Sequence, residues 1–257
     1  MKMMRMRNLC CVCAVCGSVL SGVSAFAAGG RSDAEKFAST EMNAAHAETS
    51  TDVGGGVRIV FIGNSITLHG SLPKIGWTNN WGMAASAAEK DYVHLVTRGI
   101  EKRTGRAASV KVRNLAAFER NYRTYDIGRS LADLVAFDPD YLVVALGENA
   151  PSLDAKEDET AYRQAFHALL KAFLSGKRRP RTAVRGVFWP NAAKDRAMSA
   201  VAVEFGVPFV RTDFSDDPSM RAVGLFEHKG VANHPGDKGM AETARRILSA
   251  LLDDRIP

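Results

Sequence analysis

Three polar residues, far apart along the chain, could together carry out acyl transfer. Ser65 lies in Gly63-Asn64-Ser65-Ile66-Thr67, directly behind the apolar run Val57 to Ile62, where a hydroxyl can be presented at a sheet edge. Asn149 closes Gly147-Glu148-Asn149, behind a second apolar run at Tyr141 to Leu146. An amide side chain leaving a buried strand can donate to a developing oxyanion. His234, in Asn233-His234-Pro235-Gly236, supplies a base. An imidazole with a pKa of about 6.5 can take a serine proton and return it to a leaving alcohol. Taken singly, each has a plainer reading as a helix-capping serine, a polar turn and a capping-region histidine.

Other chemistries fit less well. The Ser65 segment lacks the second glycine of a G-x-S-x-G elbow and the Gly-Lys-Ser/Thr of a P-loop. Gly54-Gly55-Gly56 precedes a strand instead of following one, which argues against a dinucleotide fingerprint. Histidines 46, 69, 94, 167, 228 and 234 show no H-E-x-x-H or similar paired spacing, so no metal and no cofactor are expected. His69 could line a cleft near Ser65, His94 and His167 read as structural, and Arg181 and Arg185, flanking a strand, read as solvated.

The elements that must position these residues follow from periodicity. Continuous or alternating β-branched runs predict strands at Val57 to Ile62, Ser109 to Leu115, Tyr141 to Leu146, Thr182 to Phe188 and Val207 to Val210. Helical patterns fall at Met83 to Arg103, Ile127 to Ala136, Ala161 to Leu174, about 192 to 205, and through Met240, Ala244, Ile247, Leu248 and Leu251. Pro235 reads as the first residue of that last helix, placing His234 at its positive end, where protonation is disfavoured. Five strands alternating with helices imply an α/β fold with a mostly parallel five-stranded sheet, covered on both faces. Ligands then sit beyond the carboxyl ends of its strands.

The N-terminus reads as an address. Lys2, Arg5 and Arg7 precede an apolar stretch from Leu9 to Val23, and Ala25-Phe26-Ala27 offers a cleavage site. This is the pattern of a signal peptide over 1–27, implying a secreted or periplasmic protein. Cleavage there halves the formal charge from +6 to +3 and removes all four cysteines, so no thiol nucleophile remains. Residues 28–54 read as a flexible linker and 55–257 as one folded domain. A charge of +3 leaves no basic stripe for nucleic acid, and no long apolar run in the body predicts a membrane span after processing.

Gly-Asn-Ser near the start, Gly-x-Asn mid-chain and His-Pro near the end, in this order and at these strand ends, resemble the SGNH/GDSL hydrolase superfamily across nearly the whole of 55–257. The resemblance implies a flavodoxin-like three-layer sandwich and an esterase or acylhydrolase. Ser65 would be its nucleophile and His234 its base, with the Ser65 backbone N–H and the Asn149 amide as oxyanion donors. The sequence departs from the family at two places. Glu119 stands where the family has the glycine whose N–H is the remaining donor. That N–H survives the change, and the carboxyl could point away, pair with Arg120 or Arg123, or read substrate. Val231 stands where the family has the aspartate that orients the histidine, so a backbone carbonyl, Glu227 or Asp237 would have to do so. Trp77, Trp81 and Trp189, near the same strand ends, suit sugar rings but read more readily as loop-anchoring core aromatics. The resulting expectation is a metal-independent serine esterase removing acetyl or another small acyl group from a carbohydrate. A lipid acylhydrolase or thioesterase, or a catalytically impaired carbohydrate-binding domain, are the alternatives.

Overall fold

The computed structural model describes residues 48–176 and 178–253. The signal-peptide reading of 1–27 and most of the linker reading lie outside them. Five parallel strands form the sheet: β2 (Val57–Gly63), β3 (Ala108–Asn114), β4 (Tyr141–Ala145), β5 (Arg181–Arg185) and β6 (Phe209–Val210). A sixth strand, β1 (Glu48–Thr51), was not anticipated. It runs antiparallel on the edge, giving the order β1-β3-β2-β4-β5-β6. Every residue of β1 is exposed, so no apolar alternation betrays it. It is held by its ladder to β3, by an ion pair of Glu48 with Arg113 (2.6 Å), and by Ser109 Oγ donating to Asp52 (2.9 Å). The stretch expected to be a linker up to residue 54 therefore ends in sheet.

Helices cover both faces, giving three layers. Along β2, Ile59 and Phe61 point to one side and Val60 and Ile62 to the other, as a two-residue repeat requires. The first side packs against α1 (Tyr92–Thr104) and α7 (Asp237–Leu252), through Tyr92, Val96 and Ile100 and through Met240, Ala244 and Ile247. The second packs against α3 (Ile127–Ala136), α4 (Lys156–Leu174) and α5 (Ala192–Glu204), with Tyr162, Phe166 and Leu169 of α4 fully buried. Two short helices, α2 (Ala116–Asn121) and α6 (Lys229–Ala232), lie beyond the carboxyl ends of the strands. Among the described residues, no helix is long and apolar enough to cross a membrane.

Two expected helices are shorter than their patterns suggest. The run from Met83 to Arg103 is helical only from Tyr92, apart from a single 3-10 turn at Ala88–Lys90. Buried Asp91 starts α1 by accepting from the His94 N–H (2.8 Å), while its other oxygen holds the Gly82 N–H (3.0 Å). The last helix begins at Asp237, not Pro235. Pro235 instead bridges to Arg221, so His234 lies two residues ahead of the Gly236 cap and not next to the first helical residue.

Candidate active site

The ends of β2, β3 and β4 are level, Gly63 lying opposite both Asn114 and Ala145. The segments behind them therefore emerge at one rim. Gly63 must be glycine, because a Cβ there would fall 1.7 Å from Thr67 Oγ1. That close approach lets the chain turn sharply. Asn64 C=O accepts from the Thr67 and Leu68 N–H groups (2.9 and 3.0 Å), and its side-chain oxygen accepts from Ile66 N–H (3.2 Å). Ser65 sits at the apex, half-buried.

Ser65 Oγ lies 2.8 Å from His234 Nε2. The tautomer follows from the other ring nitrogen. His234 Nδ1 is 2.7 Å from Gly230 C=O, which can only accept, so Nδ1 carries the proton and Nε2 presents a lone pair to the serine O–H. A backbone carbonyl thus fills the place of the missing aspartate. Val231 is fully buried among core side chains, and Asp237 is turned to Ser86 and Lys90. Trp189 stands edge-on to the imidazole, with centroids 5.2 Å apart. Burial lowers the His234 pKa to about 4, against the Gly230 hydrogen bond, which raises it. Burial is thus the largest cause that keeps this imidazole neutral.

Asn149 joins Ser65 and His234 in one cavity. Its amide orientation is set from below by Glu119. Glu119 is fully buried, and all three of its partners are donors: Asn149 Nδ2 (2.5 Å), Asn64 Nδ2 (3.0 Å) and the Gly147 N–H. Asn149 Oδ1 in turn accepts from Arg120 (3.4 Å). One hydrogen of the Asn149 NH₂ is left for the cavity. Gly147 allows this close packing because its φ of 123° belongs to glycine, and a Cβ would lie 2.7 Å from Val187.

The same geometry corrects the expected donor role of Glu119. Its backbone N–H bonds to Leu115 C=O (3.2 Å) inside the first turn of α2 and is not free for an oxyanion. Its carboxyl can neither read substrate nor pair with an arginine. Arg123 pairs with Asp158 instead (2.6 Å).

The network continues inward through residues that sequence reasoning did not assign. Asn64 Nδ2 also donates to Glu148 (2.5 Å), and Glu148 accepts from Phe188 N–H (3.0 Å) and Arg185 (2.7 Å). The Arg185 side chain is 1% exposed and that of Glu148 is 4% exposed, so Arg185 is a buried partner and not a solvated flank. Burial alone would raise Glu148, but the Arg185 charge together with the hydrogen bonds from Phe188 N–H, Arg185 and Asn64 outweighs it and its pKa is lowered. Burial, reinforced by the Glu148 charge, raises Glu119. Two carboxyls bridged by one amide thus titrate in opposite directions.

The cavity holds about 200 Å³. Ile75, Met83, Ala116 and Val231 supply its apolar wall, and His69, Asn114, Arg120 and His228 its polar one. His69, which reads more readily as a plain loop residue, lines it, its Nδ1 donating to Gly70 C=O (2.7 Å), and burial lowers its pKa. The tryptophans divide. Trp77 is 0% exposed, packs edge-on against Trp81 and tilted against Phe226, and donates to His69 C=O (3.0 Å). It anchors the loop and cannot touch a ligand. Trp81 is half-buried, its indole N–H held by Ala85 C=O (2.9 Å), and it does not line the cavity. Trp189 is half-buried and packs against the His234 ring, and it does not line the cavity either. Among the described residues, no cluster of three or more His, Cys, Asp or Glu side chains is placed to hold a metal ion.

No protein-family model and no curated protein matches the chain. Solved structures do. The chain is similar to an acetyl-xylooligosaccharide esterase from Geobacillus stearothermophilus, with 17% identity over 80% of this chain and 99% of that one and a TM-score of 0.50. It is also similar to a family 2 carbohydrate esterase with a carbohydrate-binding domain from Corynascus thermopiles, with 19% identity over 79% and 68% and a TM-score of 0.47. At such identity the first likeness defines the class of fold, an α/β sandwich shared with a known esterase.

Proposed function

We propose that this protein is a serine ester hydrolase of the SGNH/GDSL type, acting on acetyl or other small acyl esters of carbohydrates. The observation that carries the reading is the Ser65–His234 contact of 2.8 Å, with the imidazole held in the accepting tautomer by Gly230 C=O. His234 Nε2 takes the Ser65 proton as Oγ attacks the acyl carbon. Charge gathers on the carbonyl oxygen, where the Ser65 N–H and the free hydrogen of Asn149 Nδ2 are the donors at hand. The C–O bond to the alcohol breaks, and the alkoxide leaves with the proton from His234. Water then attacks the acyl-enzyme, giving its proton to Nε2. The carboxylic acid departs as Ser65 regains its hydrogen.

A cavity of about 200 Å³ with a short apolar wall favours a small acyl group over a long lipid chain. The acetyl-xylooligosaccharide esterase with the same fold adds support for an acetylated sugar, as does the export-signal pattern of the first residues. The test is labelling with a fluorophosphonate, paired with hydrolysis of 4-nitrophenyl acetate. The wild-type protein should form a covalent adduct at Ser65 and turn over the ester, while Ser65→Ala, equally folded, should do neither. Turnover undiminished in Ser65→Ala would reject this nucleophile. An inert wild-type protein would favour the binding-module alternative.

A further inference from the structure

The geometry points to a substrate whose alcohol half bears a carboxylate, received by Arg120 at the mouth of the catalytic cavity. This rests on the esterase reading and adds the class of ester. The apolar wall is only four side chains long, so it suits a short acyl group, which leaves the alcohol half to the polar side of the cavity where Arg120 stands. Arg120 is exposed, at the end of α2. It is the only Lys, Arg, Asp or Glu among the lining residues.

Other arginines of the fold are already matched. Arg123 is paired with Asp158, Arg113 with Glu48 and Asp133, and Arg185 with Glu148. The carboxyl nearest in sequence, Glu119, is fully buried and saturated by three donors on its inner side. Among the described residues Arg120 has no ion pair, and its hydrogen bond to Asn149 Oδ1 is long, at 3.4 Å. Its guanidinium therefore keeps free N–H groups beside the reacting centre, in the planar fork that suits a carboxylate. No acidic side chain lines the cavity to repel one. Because Arg120 touches the amide that would face the oxyanion, a carboxylate bound there lies within one sugar ring of the ester.

A matched pair of substrates isolates this contribution: a mono-O-acetyl methyl glucuronoside and the corresponding methyl glucoside, which differ in a carboxylate against a hydroxymethyl group. The wild-type KM should be about 5- to 20-fold lower for the uronate, the range from a good exposed ion pair to a charge-assisted hydrogen bond, with kcat similar. The advantage should shrink in 0.5 M NaCl, because the rim is open to screening. Arg120→Gln should lower kcat for both substrates alike through Asn149 and abolish the KM difference, while Arg120→Lys should keep part of it. Equal KM values in the wild type, or a preference unchanged in Arg120→Gln, would overturn the proposal. Binding separates its failure from that of the esterase reading. In Ser65→Ala protein, methyl glucuronoside titrated by NMR should bind more tightly than methyl glucoside, and Arg120→Gln should remove the difference. Equal binding there overturns the carboxylate site whether or not the wild type cleaves esters.

Discussion

Replacing Glu119 by glutamine tests how the oxyanion donor is aimed. The carboxyl has two oxygens and three donors: Oε1 takes Asn64 Nδ2 and the Gly147 N–H, and Oε2 takes Asn149 Nδ2. Glutamine offers one oxygen. If that oxygen keeps Asn64 and Gly147, the new NH₂ faces the NH₂ of Asn149. The Asn149 amide must then rotate, presenting Oδ1 to the glutamine and withdrawing its donor from the position needed at the cavity. Loss of one oxyanion donor costs roughly 10²–10³ in kcat, about 3–4 kcal/mol. Glu119→Gln should therefore lose about as much as Asn149→Ala, with KM nearly unchanged, because the lost interaction belongs to the transition state. The double variant should be no worse than either single one, within about threefold, since both remove the same hydrogen bond. The assay is steady-state hydrolysis of an acetyl ester by all four proteins, with circular dichroism melts to verify folding. A Glu119→Gln enzyme within fivefold of wild type, or losses that multiply in the double variant, would refute the argument.

Further outcomes follow from the same geometry. Protonating His234 removes the base, and burial lowers its pKa to about 4, so kcat/KM should hold nearly level down to about pH 5 and fall below that. An ordinary histidine with a pKa of about 6.5 would already have lost roughly 30-fold at pH 5. Trp189→Ala opens the imidazole to water and should move this acid limb upward, which a pH–rate profile reads directly. Arg185→Met leaves the Glu148 carboxylate buried without its cation and should cost about 3–5 kcal/mol in urea unfolding. Octanoyl esters should be cleaved at least about tenfold more slowly than acetyl esters, because eight carbons outrun the apolar wall of Ile75, Met83, Ala116 and Val231 and must lie against polar lining.

Much of the sheet was legible in the sequence because buried parallel strands carry their signal in side chains. Tyr141 to Leu146 is apolar throughout since both faces are covered, and Ile127 to Ala136 has the helical bounds its pattern predicts. β1 escaped notice because an edge strand of Glu, Thr and Ser is held by backbone hydrogen bonds and two polar contacts, none of which leaves an apolar alternation. The helix expected from Met83 was overextended because its true start is the Asp91 cap, and the tertiary bond from Gly82 to Asp91 that holds the preceding segment out of the helix is not local in pattern. At the site, Ser65, Asn149 and His234 could be picked out by their three motifs taken together and in order, since each alone reads as a cap or a turn. The Arg185–Glu148–Asn64–Glu119 chain could not. A charged residue at the end of a strand reads as solvated until the covering layers are in place, and only the fold shows that this one points inward.

The acceptor that holds His234 is a main-chain oxygen, and this has a consequence for how the protein can lose activity. Any amino acid at position 230 would carry the same oxygen, so no side-chain truncation deletes it, and at no ordinary pH does it titrate as an aspartate would. The vulnerable quantity is instead the path of the polypeptide. A Cβ at Gly230 would come within 2.9 Å of the His228 ring, so even alanine would press on the four-residue helical turn that aims the oxygen. Fraying of that turn would take the acceptor away from the His234 ring while leaving the sheet intact.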